Sequence, residues 1–216
     1  MIQLIPAADL NDVVQKVFGT ALAKRGFEQI DPRRWVRSKK PLIREVVLLC
    51  TMKGLSLSPI WGFSLDFVPH VSAGRIRWHR TSKSASMDLS YDPFDYEGKP
   101  LTISRFQSAD AVREGAKVVL EDVLWRSGEF FESVRTIPDL VDAFEAKRNR
   151  PAVRFGFENY VQHPMAYAFV LAKLGRERAA RKWLEVAKKY HELDDIELTK
   201  LKRAFDDALR ESKPSK

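Results

Sequence analysis

The sequence predicts an α+β fold, an antiparallel meander of four or five strands packed by helices, with an all-helical C-terminal appendage. Three observations carry that prediction. Residues 34–91 hold alternating apolar runs, clearest at Trp61-Gly-Phe-Ser-Leu-Asp-Phe67, where Trp61, Phe63, Leu65 and Phe67 share one face. Long segments of helical periodicity flank this region on both sides. The links between the strands are too short for crossover helices, which leaves antiparallel pairing.

Taken in order, the first element is an amphipathic helix from Asp9 to Arg25. Leu10, Val13, Val14, Val17, Phe18, Ala21 and Leu22 repeat at three and four, with Asp9 as the expected N-cap and Gly26 as the residue closing the C-terminus. Ile30 to Arg33 reads as a turn into a short strand through Trp35 and Arg37. Ile43 to Lys53 reads as a long strand whose centre, Val46 to Cys50, is apolar on both faces and therefore central in its sheet. Ile60–Pro69 is the third strand. Arg75–Arg80 is the fourth, entered through a Val71–Gly74 turn that sets His70 opposite Arg75 and Asp66 opposite His79. Ser86–Tyr91 is the fifth, and Asp92–Pro100 is a loop rich in helix and strand breakers.

Ser108 caps a helix expected to end near Ser127, at Gly128, with Val112, Ala116, Val119, Leu120, Val123 and Leu124 as its buried stripe. Thr136-Ile-Pro-Asp139 has capping-box spacing with aspartate in place of glutamate, and opens a helix to about Lys147. The charged run Lys147–Arg150 before Pro151 is the best linker candidate. Helices then follow over 164–174 and 176–190, with Gly175 at the turn, and from Asp194 onward. Asp194-Asp-Ile-Glu197 repeats the box pattern, and Lys213–Lys216 is expected to fray. The organisation expected is an α+β region over residues 1–135 and a helical region over 136–216, either separate or part of the same domain.

With 44% apolar and 31% charged residues in 216, the chain has the composition of a globular protein with a sizeable core. No run of about 18 apolar residues is present, so no membrane contact is expected. Met1–Asp9 lacks the basic start and the apolar length of a secretory signal. Cys50 is the sole cysteine, which excludes an intramolecular disulfide and suits a cytoplasmic location.

The net charge is +8, and residues 1–108 carry most of it, with 16 Lys and Arg against 10 Asp and Glu. That surplus favours an anionic partner. Arg75-Ile-Arg-Trp-His-Arg80 interleaves basic and aromatic residues, and strand alternation puts Arg75, Arg77 and His79 on one face. A basic row of this kind can hold phosphates or carboxylates. Arg34 and Arg37, with Arg33, Lys39 and Lys40, would extend the same surface if they lie beside it. The bland alternative is that Trp78 is core and that Asp66 and other carboxylates neutralise the row. Asp66 with His79, or Asp88, Asp92 and Asp95, would permit metal binding or acid–base work in principle, but no HExxH, P-loop, GxSxG or dinucleotide glycine fingerprint is present. Cys50 reads as a core thiol, and His163 and His191 as helix-end residues.

Gly26-Phe27, Trp35-Val-Arg37, Val46 to Lys53 and Phe63-Ser-Leu65 together resemble a family of small bacterial proteins known only as a domain of unknown function. The resemblance covers about residues 9–135. It implies an α+β domain and, because some members look like immunity or accessory proteins of bacterial conflict systems, a role of that kind. Leu174–Ala187 is similar to a single helical hairpin of the tetratricopeptide type, with Ala180, Trp183, Leu184 and Ala187 as its interlocking positions and a protein-docking surface as its implied use. The expected function is therefore non-enzymatic binding, through the basic sheet face and the helical hairpin, of a protein or acidic surface. The alternatives are a nucleic-acid-binding module, and an enzyme with an unrecognised acid/base pair. No cofactor or metal is expected, and the sequence carries no signal for oligomeric state.

Overall fold

The computed structural model describes residues 4–52, 55–78, 83, 85–91, 101–104, 108–149, 162–189 and 193–212. Its first helix starts before the predicted cap. Pro6 is the N-cap, and α1 (Ala7–Val14) runs through a π-helical turn at Gln15–Gly19 into α2 (Thr20–Ala23). A proline suits a helix start because it gives up only a donor that has no intrahelical partner there. Gly26 closes the helix at φ +80°, with Gly26 N–H donating to Ala23 O and Phe27 N–H to Leu22 O.

The strands are β1 (Glu28–Asp31), β2 (Arg34–Lys40), β3 (Ile43–Met52), β4 (Ser56–Leu65), β5 (His70–Ser72), β6 (Arg75–Arg77), β7 (Leu89–Tyr91) and β8 (Ile103–Ser104). The main sheet is antiparallel in the order β1-β2-β3-β4-β7, with β8 pairing the start of β4. This is the predicted meander with three corrections. Glu28–Asp31 forms an edge strand, where the expected turn begins at Ile30. β4 begins at Ser56 and contains Pro59, which lies between the stretches paired to β8 and β7, where a missing N–H breaks no ladder on that side. The expected fourth strand is not in this sheet. β5 and β6 form a separate two-stranded ribbon, with register His70↔Arg77, Val71↔Ile76 and Ser72↔Arg75. The turn is the two-residue Ala73-Gly74, both at positive φ, not the four-residue turn predicted, so Arg75 lies opposite Ser72 and not His70.

Register rows crossing the sheet define its faces. Trp35, Val47, Trp61 and Tyr91 lie on the inner face, and Val36, Val46, Gly62 and Ser90 on the outer. The inner row joins Phe18, Phe63, Leu65 and the stripe of α3 in the main core. Phe18 stacks on Trp35 with ring centroids 6.0 Å apart. Helix α3 (Ala109–Ser133) is capped by Ser108, whose Oγ accepts from Ala111 N–H at 3.3 Å. It continues through Gly128, contrary to expectation. One interior glycine costs about 1 kcal/mol relative to alanine, and the stripe simply carries on through Val123, Ser127 and Phe131. Phe63 meets both Phe130 and Phe131.

The remaining helices are α4 (Ile137–Arg148), α5 (Gln162–Lys173), α6 (Glu177–Lys188) and α7 (Asp195–Glu211). The box at Thr136 forms as predicted, with Asp139 accepting from Thr136 N–H at 2.8 Å. Gly175, at φ +69°, turns α5 into α6, and Arg176 N–H closes onto Leu171 O at 2.9 Å. Trp183 packs between the hairpin and α4, beside Tyr167 and under Arg148. One contiguous buried cluster runs from Ile5 to Leu209, so the C-terminal helices share a core with the sheet. Lys147, in the stretch read as a linker, is buried at the end of α4 with its ammonium 5.2 Å from the Tyr91 ring centre. Lys53, His79, Arg80, the 92–100 loop with Asp92 and Asp95, residues 150–161, His191 and the 213–216 tail lie outside the described residues.

Candidate functional site

The outer face of the sheet carries a groove of about 410 Å³. Its floor is the cross-strand row Arg34, Leu48 and Ile60, with Val46 beside it. Ser90 of β7 borders one side, and His70 of the ribbon and the Ala85–Met87 segment form the walls. Apolar floor, small hydroxyls and one guanidinium at the end are the ingredients of a binding groove. Gly62 makes room for the β7 wall, because a Cβ there would lie 2.1 Å from Leu89 O.

The predicted basic residues divide between two places. Arg34 lines the groove and, among the described residues, has a long ion pair of 3.6 Å to Asp31. Arg37, three positions on in a regular strand, points to the opposite face. There its Nε donates to Glu45, its Nη1 donates to Arg25 O at 2.9 Å, and its guanidinium covers the Phe27 ring at 4.5 Å. Lys40 joins it: a register shift between Arg37 and Lys40 brings both to Glu45, with Lys40 Nζ 2.8 Å from Oε1. Arg37 and Lys40 are thus the counter-ions of a buried carboxylate and not part of a binding face. Arg33 donates to Thr51 Oγ1, while Lys39 stays exposed.

Arg75 and Arg77 are both exposed on β6; neither makes a close salt bridge among the described residues, and Arg75 lies near enough to the Glu197 carboxylate to act on it by charge. Asp66, expected to neutralise them, is taken by Arg44 at 3.0 Å on the main sheet. His70 lies directly across from Arg77, so the groove wall and the arginine row share one ribbon face. The ribbon is held from its other side by α7. Asp194 accepts from Glu197 N–H as its box pattern predicts, but Glu197 does not return to the cap; it accepts from Ile76 N–H at 2.8 Å and from Lys200 at 2.6 Å. The Lys200 ammonium, then the Ile76 amide, hold the Glu197 carboxyl below its ordinary range. Trp78 is 36% exposed and leans on Phe169 of α5, with centroids 6.3 Å apart, so it is neither the core residue of one reading nor a free ring.

Sequence reasoning missed the polar cluster behind the groove. His163 of α5 is buried with Nε2 3.4 Å from both Ser90 N and Ser90 Oγ. Asp88, fully buried, accepts from Leu65 N–H at 2.7 Å and from Gln162 at 2.6 Å. Nothing in a single His or Asp along the chain signals burial, because the apolar surroundings come from another element. Burial, then the nearby Lys147 charge, push the His163 imidazole down to about 3. So weak a base removes a hydroxyl proton poorly at neutral pH, and the Ser90–His163 pair lacks the basicity of a catalytic dyad. Its expected signature is in stability. Between pH 6.5 and about 3 the unfolded chain binds a proton that the folded chain refuses. Stability is therefore complete above 6.5 and falls with decreasing pH by about 1.4 kcal/mol per unit from this group. His163→Gln should flatten the loss of urea midpoint between about pH 7 and about pH 5; an unchanged slope would contradict the assignment.

No family model matches the chain, no curated protein is detectably similar to it, and no solved structure matches it. Among the described residues, no group of His, Cys, Asp and Glu is arranged to hold a metal ion, and no helix is long and apolar enough to cross a membrane.

Proposed function

We propose that this protein is a non-enzymatic binding protein that receives an acidic segment of a partner protein across the outer sheet face. The observation that carries the reading is the pair Arg75 and Arg77, exposed and in no close salt bridge among the described residues, with Glu197 of α7 near enough to feel the Arg75 charge, on a ribbon whose His70 walls the apolar groove. Alternate positions on a strand root the two side chains about 7 Å apart on one side. Leu48 and Ile60 give the groove an apolar floor for side chains between the carboxylates, and Arg34 adds a charge at its end. A receptor of this form fits the immunity or accessory role in bacterial conflict systems that the family resemblance implies.

Trp78 favours one second reading, nucleic-acid binding, because a half-exposed ring one residue beyond Arg77 offers a stacking surface beside a phosphate-binding pair. The test is the double variant Arg75→Glu with Arg77→Glu, assayed against a peptide of alternating glutamate and leucine, a single-stranded RNA and a duplex DNA. Peptide affinity is expected to fall about tenfold or more in the variant, with a shallow salt dependence in the unmodified protein. Unchanged peptide binding would remove this face. RNA or DNA binding that is lost in the variant and falls steeply with salt would put nucleic acid in place of protein.

A further inference from the structure

On the opposite side of the molecule, α3 and α4 enclose a second cavity of about 570 Å³ with a different chemistry. Its walls are aromatic: Tyr91 and Phe130, with ring centres 4.4 Å apart, and Trp125, which is 59% exposed. Its charges are acidic, with Glu129 contributed by α3, and Asp139 and Asp142 by α4. Asp139 is fixed in place by the α4 cap and kept ionised by hydrogen bonds from the Arg135 and Thr136 amides. Glu129 and Asp142 have no ion pair or hydrogen bond among the described residues. Among the described residues the lining carries one cation, Arg126, which pairs with Asp122 at 2.7 Å.

Two helices thus bring three carboxylates and one arginine to one cleft, a local acidic surplus in a protein whose overall charge is +8. Like charges held at one site raise each other's energy, and a cation between them reverses the sign of that interaction. Aromatic faces attract the same ligand, since ring quadrupoles draw ammonium and guanidinium groups. Arg126 already shows this toward Trp125, with its guanidinium carbon 5.5 Å from the ring centre. Beyond the cavity, Val118 lies seven residues before Trp125 on the same side of α3 and is 66% exposed. That apolar lip continues the site past the length of a single small cation and suits a polypeptide.

We infer that the α3–α4 cavity is a docking site for a lysine- or arginine-bearing segment of a partner protein, the basic side chain entering between Trp125, Glu129 and Asp142. The site is independent of the basic groove and selects a ligand of opposite charge. The five tryptophans provide the readout, because Trp35, Trp61 and Trp183 are buried and serve as internal markers of an intact fold. A short peptide alternating glycine and lysine, and its glutamate counterpart, would be titrated while the indole N–H resonances are followed by NMR. The lysine peptide is expected to shift Trp125 saturably and to leave Trp35 and Trp61 in place, and the glutamate peptide to leave Trp125 unmoved. The exposed-site variant Glu129→Gln with Asp142→Asn should weaken the lysine peptide about fivefold, with the buried indole signals unchanged. A Trp125 signal indifferent to the lysine peptide, or equal affinity in the neutralised variant, would overturn the inference. Neither result depends on whether Arg75 and Arg77 bind anything.

Discussion

Replacing Glu45 by alanine is expected to destabilise the fold by about 3–5 kcal/mol, the cost of removing one member of a buried ion pair. Glu45 is 1% exposed near the start of β3 and is the anion for both Arg37 and Lys40. Lys40 also donates to Phe131 O near the end of α3, and Arg37 to Arg25 O beyond α2. One carboxylate therefore holds the cations that fasten two helix ends to the sheet. Without it, two positive charges remain close together in a site with little water access, and both helix ends lose their anchor. The urea midpoint measures the effect. A triple apolar replacement, Glu45→Leu with Arg37→Met and Lys40→Met, should recover much of the loss, because it removes the desolvated charges along with their attraction. A cost below about 1 kcal/mol for Glu45→Ala would match an exposed surface pair and contradict the geometry.

Gly62→Ala should have the second large effect, about 3 kcal/mol or more, at the upper end of what overpacking costs. The added methyl would meet Leu89 O at 2.1 Å and Ser90 Cα at 2.9 Å, and both are backbone atoms. No rotamer change relieves such a contact, so β7 must move off β4. Amide hydrogen exchange would locate the damage: protection at Leu89, Ser90 and Tyr91 is expected to fall, while the β3–β4 ladder keeps its own. Uniform loss of protection across the sheet would mean that β7 is integral to a single cooperative unit. The same displacement takes Ser90 away from both the groove and His163.

Period alone made much of this fold legible. Trp61, Phe63 and Leu65 are buried on the helix-facing side as their alternation predicts, whereas Phe67 lies past the end of β4 and is only partly buried; both the Ser108 cap and the Gly175 turn form where composition puts them. What escaped depends on partners that no local pattern names. Arg34 and Arg37 looked like one basic surface, yet strand alternation sends them to opposite faces. The register shift after Arg37 then delivers Lys40 to the same glutamate. A short connection after β4 predicts continued pairing of the ribbon in the main sheet; β7 takes that edge instead. Leu48 and Ile60, now the groove floor, are legible only as part of a strand apolar on both faces and as the start of the next strand. The acidic, aromatic cavity left no trace in the sequence, since Tyr91, Trp125 and Asp142 come from three separate elements and none is unusual by itself.

The bond from Ile76 N–H to Glu197 spans 121 positions and ties the arginine ribbon to the last helix. Its consequence is entropic. A two-stranded ribbon is marginally stable by itself, and a ligand meeting one that moves freely must spend part of its binding free energy to immobilise it. With α7 docked, that ordering belongs to folding, before any partner arrives. The affinity of the basic face is then set partly at a carboxylate that touches no ligand, and shortening the C-terminus would weaken binding while leaving Arg34, Arg75 and Arg77 in the chain.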